Sequence, residues 1–135
     1  MDAESLAEYA VDLKQNHGHN CCQAVTAALA SETGLDAETL NKLASGFAIG
    51  MGNMEATCGS LIGAVMAAGM KVQGQGTVRL SKQISEKFNA LSGATICKTL
   101  KGKTDPAVFC PCDECVRNAV RAYCSVMEHH EKTRS

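Results

Sequence analysis

The sequence predicts an all-α protein, a compact bundle of about five to seven helices, and three observations carry that expectation. Apolar residues recur at i, i+3, i+4 and i+7 along most of the chain; alternation of β-branched and aromatic residues is nearly absent; and the 135 residues include only 2 prolines. A chain of this length fits one domain, residues 1–135. It is able to bury roughly two thirds of its unfolded surface without disulfide staples.

The elements follow in order. Leu6, Tyr9, Ala10 and Leu13 mark the inward face of a first helix, and His17-Gly18 stops it. In the second helix Cys21, Ala24, Val25, Ala28 and Leu29 share one stripe, with Cys22 a further ~100° round. Gly34 closes that helix, and Asp36 caps a third with Leu40, Leu43 and Phe47 inward. The glycines of SGFAIGMGNMEAT break the pattern and make its second half a loop. A fourth helix then runs over 57–72, with Thr57 as its cap, and QGQGT connects it onward. A fifth spans 78–92, with Leu80, Ile84, Phe88 and Leu91 aligned, and ATICKTLKG forms a short sixth. The last helix covers 111–130 and turns Cys112, Val116, Ala119, Val120, Tyr123 and Met127 inward.

Composition removes several classes of function. The 13 Lys+Arg nearly balance the 14 Asp+Glu, and aromatics are 4%, so the basic footprint and stacking surface of a nucleic-acid binder are missing. Residues 1–78 carry 3 basic and 8 acidic side chains and residues 79–135 carry 10 and 6, an asymmetry that helix interleaving can erase. The first segment, MDAESLAEYAVDLK, lacks a signal peptide's basic and apolar regions, and the expected location is cytoplasmic. LIGAVMAAGMKV is about half of the roughly 20 residues a membrane span needs, and reads as a buried helix.

The chemistry lies in the 8 cysteines, about 6% of the chain and below the ~8–10% that marks a secreted disulfide scaffold. Without an export signal, metal binding or redox chemistry explains them better than stapling does. Cys58 falls in a first helical turn, where free N–H groups and the helix dipole favour a thiolate. Gly59 and Gly63, continued by Ala67, form a small-residue stripe that admits either a neighbouring helix or a bound centre. Cys112 also stands at a helix start, and Lys98 and Lys101 are placed to lower the pKa of Cys97. CPCDEC, residues 110–115, contains both C-x-C and C-x-x-C, without the second pair of a zinc ribbon or the βαβ context of a thioredoxin. His17 and His19 are candidate nitrogen ligands. Each cysteine taken singly also reads as a small core hydrophobe, and the glycine stripe as plain packing.

HNCCQAV, SGFAIGMGNMEATCGSLIGAVMAAG, ICKTLKG and CDECVRNAV together resemble the C_GCAxxG_C_C family of small redox-active proteins, which is marked by four cysteines. The likeness spans roughly residues 16–126. Its most specific part, Cys-Gly-Ala-x-x-Gly, is matched by Cys58, Gly59 and Gly63, with Ser60 where alanine is usual. The resemblance implies an α-helical redox protein whose four cysteines fall on Cys21, Cys58, Cys97 and Cys112, with Cys115 a rival for the last place. Cys22, Cys110, Cys115 and Cys124 exceed the pattern. A looser similarity to the non-haem domain of split-Soret cytochromes implies that such a site can hold an iron–sulfur cluster. No C-x-x-C-H is present to attach a c-type haem.

The leading expectation is therefore a redox centre of Cys21, Cys58, Cys97 and Cys112, with Gly59 and Gly63 giving a bound group room. Those cysteines would work by dithiol/disulfide exchange, as a thiol oxidoreductase, or by holding a [2Fe–2S] cluster for electron transfer. The alternative is a zinc site, structural or regulatory, since four thiolates suit tetrahedral zinc equally well. A partner protein supplying or taking electrons or thiols is implied, and the glycine-lined helix would suit a homodimer seam.

Overall fold

A computed structural model describes residues 1–134 of the chain, and polar caps divide it much as the sequence predicts. Asp2 accepts the Ser5 N–H at 2.8 Å and opens α1 (Ala3–Asn16). Asn20 opens α2 (Cys21–Ala28) with a reciprocal box: its side chain accepts from the Gln23 N–H at 2.8 Å, and its own N–H donates to the Gln23 side chain at 3.0 Å. The helix is shorter than expected, because the chain turns at Leu29 into a single-turn α3 (Ala30–Thr33) before Gly34 ends it at φ 73°. Asp36 caps α4 (Ala37–Ala44). A π-type turn, Gly50–Met54, leads to α5 (Gly59–Lys71); α6 (Thr77–Ser92), the single-turn α7 (Cys97–Leu100) and the long α8 (Cys112–Arg134) follow. The architecture is all-α, and six of the described α-helices have two turns or more.

Helix α8 is the spine, packing against α1, α2, α5 and α6. Its buried face is Val116, Ala119, Val120, Tyr123 and Met127, the stripe the periodicity predicts, while Cys112 at its start is half-buried. From α6 come Leu80, Ile84 and Phe88, while Leu91 is exposed. Helix α1 departs from expectation: Ala7, Ala10, Val11 and Leu13 are its buried residues and Tyr9 is exposed. Alanines let α8 approach closely, and the phenol turns to solvent instead of separating the helices. Leu43 of α4 is likewise exposed, with Leu40 and Ala44 inward.

Gly63 belongs to the crossing of α5 on α2. A Cβ there would stand 3.0 Å from the Cys22 carbonyl oxygen and 3.2 Å from the Val25 Cβ, so the glycine lets two backbones meet. Across the surface, Arg117 reaches Glu8 at 2.8 Å and Arg121 reaches Glu4 at 2.8 Å, joining α1 to α8 through pairs that contribute modestly. Among the described residues no helix is long and apolar enough to cross a membrane.

Candidate cysteine redox centre

Four cysteines stand at helix starts, and local backbone rules put them there. Cys21 is the first residue of α2 behind the Asn20 cap, Cys58 is itself the N-cap of α5, Cys97 opens α7, and Cys112 opens α8 behind Pro111. The cap of α5 is thus one residue later than Thr57. Thr57 instead forms an isolated antiparallel bridge with Ile96, flanked by Cys58 N–H to Thr95 C=O at 2.8 Å and Cys97 N–H to Ala56 C=O at 3.0 Å. That clamp fixes Cys58 and Cys97 side by side. A second bridge, Lys101 with Phe109, is completed by Cys110 N–H to Leu100 C=O at 2.9 Å and brings Cys110 back over α7. Lys14 of α1 holds Asp113 at 3.1 Å and anchors the first turn of α8 beside Cys112.

These segments enclose a cavity of about 190 Å³. Its walls include Cys21, Cys58, Cys97, Cys110, Cys112 and Cys115, with Gly59, Ser60 and Leu100 between them and Asn20, Ala48, Ile49, Lys14 and Lys101 completing the lining. The volume is slightly above the ~150 Å³ of an engineered cavity that accepts benzene and below the ~300 Å³ at which pockets for drug-sized ligands begin. A compact group fits it; a nucleotide does not.

Two glycines let the walls close. A Cβ on Gly59 would stand 2.8 Å from the Cys21 sulfur and would collide with the Phe47 carbonyl oxygen. A Cβ on Gly50 would stand 2.6 Å from the Cys97 Cβ, and Gly50 has φ 52°. Its neighbour Ile49, a β-branched residue on the cavity rim, is held at φ 55°, where such side chains are rarely found. Strain of this kind gathers at functional sites.

The thiols are not electrostatically equivalent. Cys58 is held well below the ordinary thiol range, first by the neighbouring Cys115 thiol, then, against the cost of burial, by Ser60 and the Leu61 N–H at the head of α5. Cys115 is pushed up for the complementary reason: the nearby Cys58 sulfur favours its protonated form and burial adds to this, while its thiol donates to the Cys110 C=O at 3.5 Å. Burial raises Cys21, and the neighbouring Cys58 charge raises it further. Cys97 is also raised by burial, although Lys101 opposes the shift. This corrects the expectation that nearby lysines depress Cys97. Lys98 instead pairs with Glu55 at 3.5 Å, and the Lys101 ammonium hydrogen-bonds the Cys112 sulfur. Burial works against the Lys101 charge, but contact with Cys112 raises its pKa on balance.

Cys21, Cys58, Cys97 and Cys112 therefore meet at one cavity, and Cys115 and Cys110 join them. Gly59 is on the wall; Gly63 is not, since it is spent on the α2–α5 crossing. Cys22 lies in the core with its sulfur 4.0 Å from that of Met66, and Cys124 sits farther along α8, outside the cavity lining. His17 pairs with Asp12 at 3.3 Å, and His19 contacts the His17 carbonyl oxygen; neither lines the cavity. Among the described residues no three Cys, His, Asp or Glu side chains converge closely enough to hold a single metal ion.

The fold and site together define an all-α protein with thiols gathered at helix starts around one cavity. Residues 19–126 match the family described as "Putative redox-active protein (C_GCAxxG_C_C)", and the chain belongs to that family. No curated protein and no solved structure matches it.

Two outcomes follow from this geometry. Gly59→Ala destabilises the fold by roughly 1–3 kcal/mol in urea denaturation through overpacking, whereas Gly46→Ala, with nothing within 4 Å of the new methyl, stays close to wild type; equal stability of the two would contradict the close approach. In the metal-free protein the Cys58 anion persists above its lowered pKa and is lost as pH falls through it. Its alkylation by iodoacetamide, followed by peptide mass mapping, therefore sets in at lower pH than that of Cys22, whose thiol burial pushes up to about 12. Prior modification of Cys22 would contradict the assignment.

Proposed function

We propose that this chain is an electron-transfer protein whose cavity holds an iron–sulfur cluster through Cys21, Cys58, Cys97 and Cys112. One observation carries the reading: the thiols surround a cavity of about 190 Å³ instead of converging in threes on a point. Ligands spread around a volume suit a polynuclear centre better than a single zinc ion, which needs four donors at about 2.0–2.3 Å. When bound, such a cluster supplies a one-electron couple.

The chain's own residues prepare the site for that occupant. Thiolates are the ligating form, and Cys58 is already favoured as one by Cys115 and the head of α5. Lys101, half-buried beside Cys112, offsets negative charge at the mouth of the site. Gly59 gives room at the wall, and Leu100 adds apolar surface to it. Cys110 and Cys115 remain as reserve donors on the same wall.

Cys115 and Cys58 line the same cavity and shift each other's pKa in opposite directions, which supports a second reading, dithiol/disulfide exchange. The Cys58 thiolate attacks a partner disulfide and releases one partner thiolate; Cys115, after losing its proton, attacks Cys58 and releases the other. Two thiols of this chain are oxidised to one disulfide, and the partner's disulfide is reduced to two thiols.

Visible absorbance with iron, sulfide and zinc analysis, on protein purified without air, separates these readings. The cluster predicts colour with about two irons and two sulfides per chain. Cys58→Ser loses the signal and Cys124→Ser keeps it; equal loss from both would contradict the four-cysteine assignment. A colourless, metal-free protein with titratable thiols would move the conclusion to disulfide exchange, and stoichiometric zinc to a zinc site.

A further inference from the structure

Three described side chains have a buried polar atom without a hydrogen-bond partner: Asn41 through Oδ1, Ser60 through Oγ and Thr77 through Oγ1. Of these, Ser60 lines the cysteine cavity. It is fully buried, and it is the second residue of the 13-residue α5, directly after Gly59. Its hydroxyl lacks a partner of good geometry, yet stands close enough to the Cys58 sulfur to favour the anion there. Burying a hydroxyl without a partner is costly, and alanine would fill the same space without that cost. A donor retained at such a position points to an acceptor that occupies the cavity.

We propose that Ser60 donates a hydrogen bond to the sulfur-rich centre in the cavity, at Cys58 or a bridging sulfide, and raises its reduction potential. The inference rests on the cluster reading. Reduction adds one electron, supplied by a redox partner, and concentrates negative charge on the sulfurs. An O–H dipole directed at them is then stronger in the reduced state than in the oxidised one, which favours reduction. Ser60 is a positioning and tuning residue, not a ligand, and iron content does not depend on it.

The test is a redox titration of the reconstituted full chain, followed by visible absorbance, in wild type, Ser60→Ala and Thr77→Val. Thr77→Val removes the other unpartnered hydroxyl, which is not on the cavity wall. The expected result is equal iron and sulfide in all three. The potential of Ser60→Ala falls by about tenfold in the reduced-to-oxidised ratio, which is about 59 mV for one electron, and that of Thr77→Val is unchanged. If Ser60→Ala fails to fold, Ser60→Gly also lacks the hydroxyl and gives the same fall. A fully loaded Ser60 variant with the wild-type potential overturns the inference while leaving the cluster reading intact. Wild type that takes up no iron and sulfide overturns both, before any potential is measured.

Discussion

The site depends on a clamp of two backbone hydrogen bonds. Cys58 N–H to Thr95 C=O and Cys97 N–H to Ala56 C=O tie the entrance of α5 to the entrance of α7, at 2.8 and 3.0 Å. Each helix positions its own cysteine, and the clamp sets the two helix starts against each other. With it, Gly50 passes beneath Cys97, Gly59 lies against Cys21, and the return of Cys110 over Leu100 closes the third side. The helical bundle supplies a rigid frame, and these few pairings turn the frame into a cavity.

Gathering thiols at low dielectric sets an electrostatic problem that the fold answers locally. A buried thiolate is unfavourable unless donors face it. Cys58 has the Cys115 thiol and the first N–H groups of α5, and Cys112 has Lys101. Cys21 and Cys97 have less support and are raised by burial, so they favour the protonated form until an occupant or a partner draws the proton away. The centre is thus graded, with Cys58 the thiol most inclined to ionise and Cys21, Cys97 and Cys115 less so.

Much of the frame was legible in the sequence, and the reasons are physical. Asn20 and Asp36 are strong caps, and the apolar period of α8 is long enough to place Val116, Val120 and Tyr123 on one face. Helix-start positions singled out Cys58 and Cys112 in the sequence, and the family resemblance supplied Cys21 and Cys97 beside them. What escaped was of two kinds. Where alanines set the approach of two helices, the larger side chain does not mark the inward face, and Tyr9 misled for that reason. Where the site is built by pairing between distant irregular segments, no local period records it: the clamp, Gly50 beneath Cys97, and Lys101 on Cys112 all belong to this kind. The one legible trace of Ser60 was its departure from the alanine usual at that position.

The central proposal is that the cysteine-walled cavity holds iron through Cys21, Cys58, Cys97 and Cys112. Anomalous diffraction at the iron edge, from crystals grown without air, tests it most directly. The account predicts iron peaks inside the cavity, within ligating distance of the sulfurs of Cys21, Cys58, Cys97 and Cys112. A cavity without iron whose Cys58 and Cys115 are joined as a disulfide, or iron bound elsewhere on the chain, would contradict it.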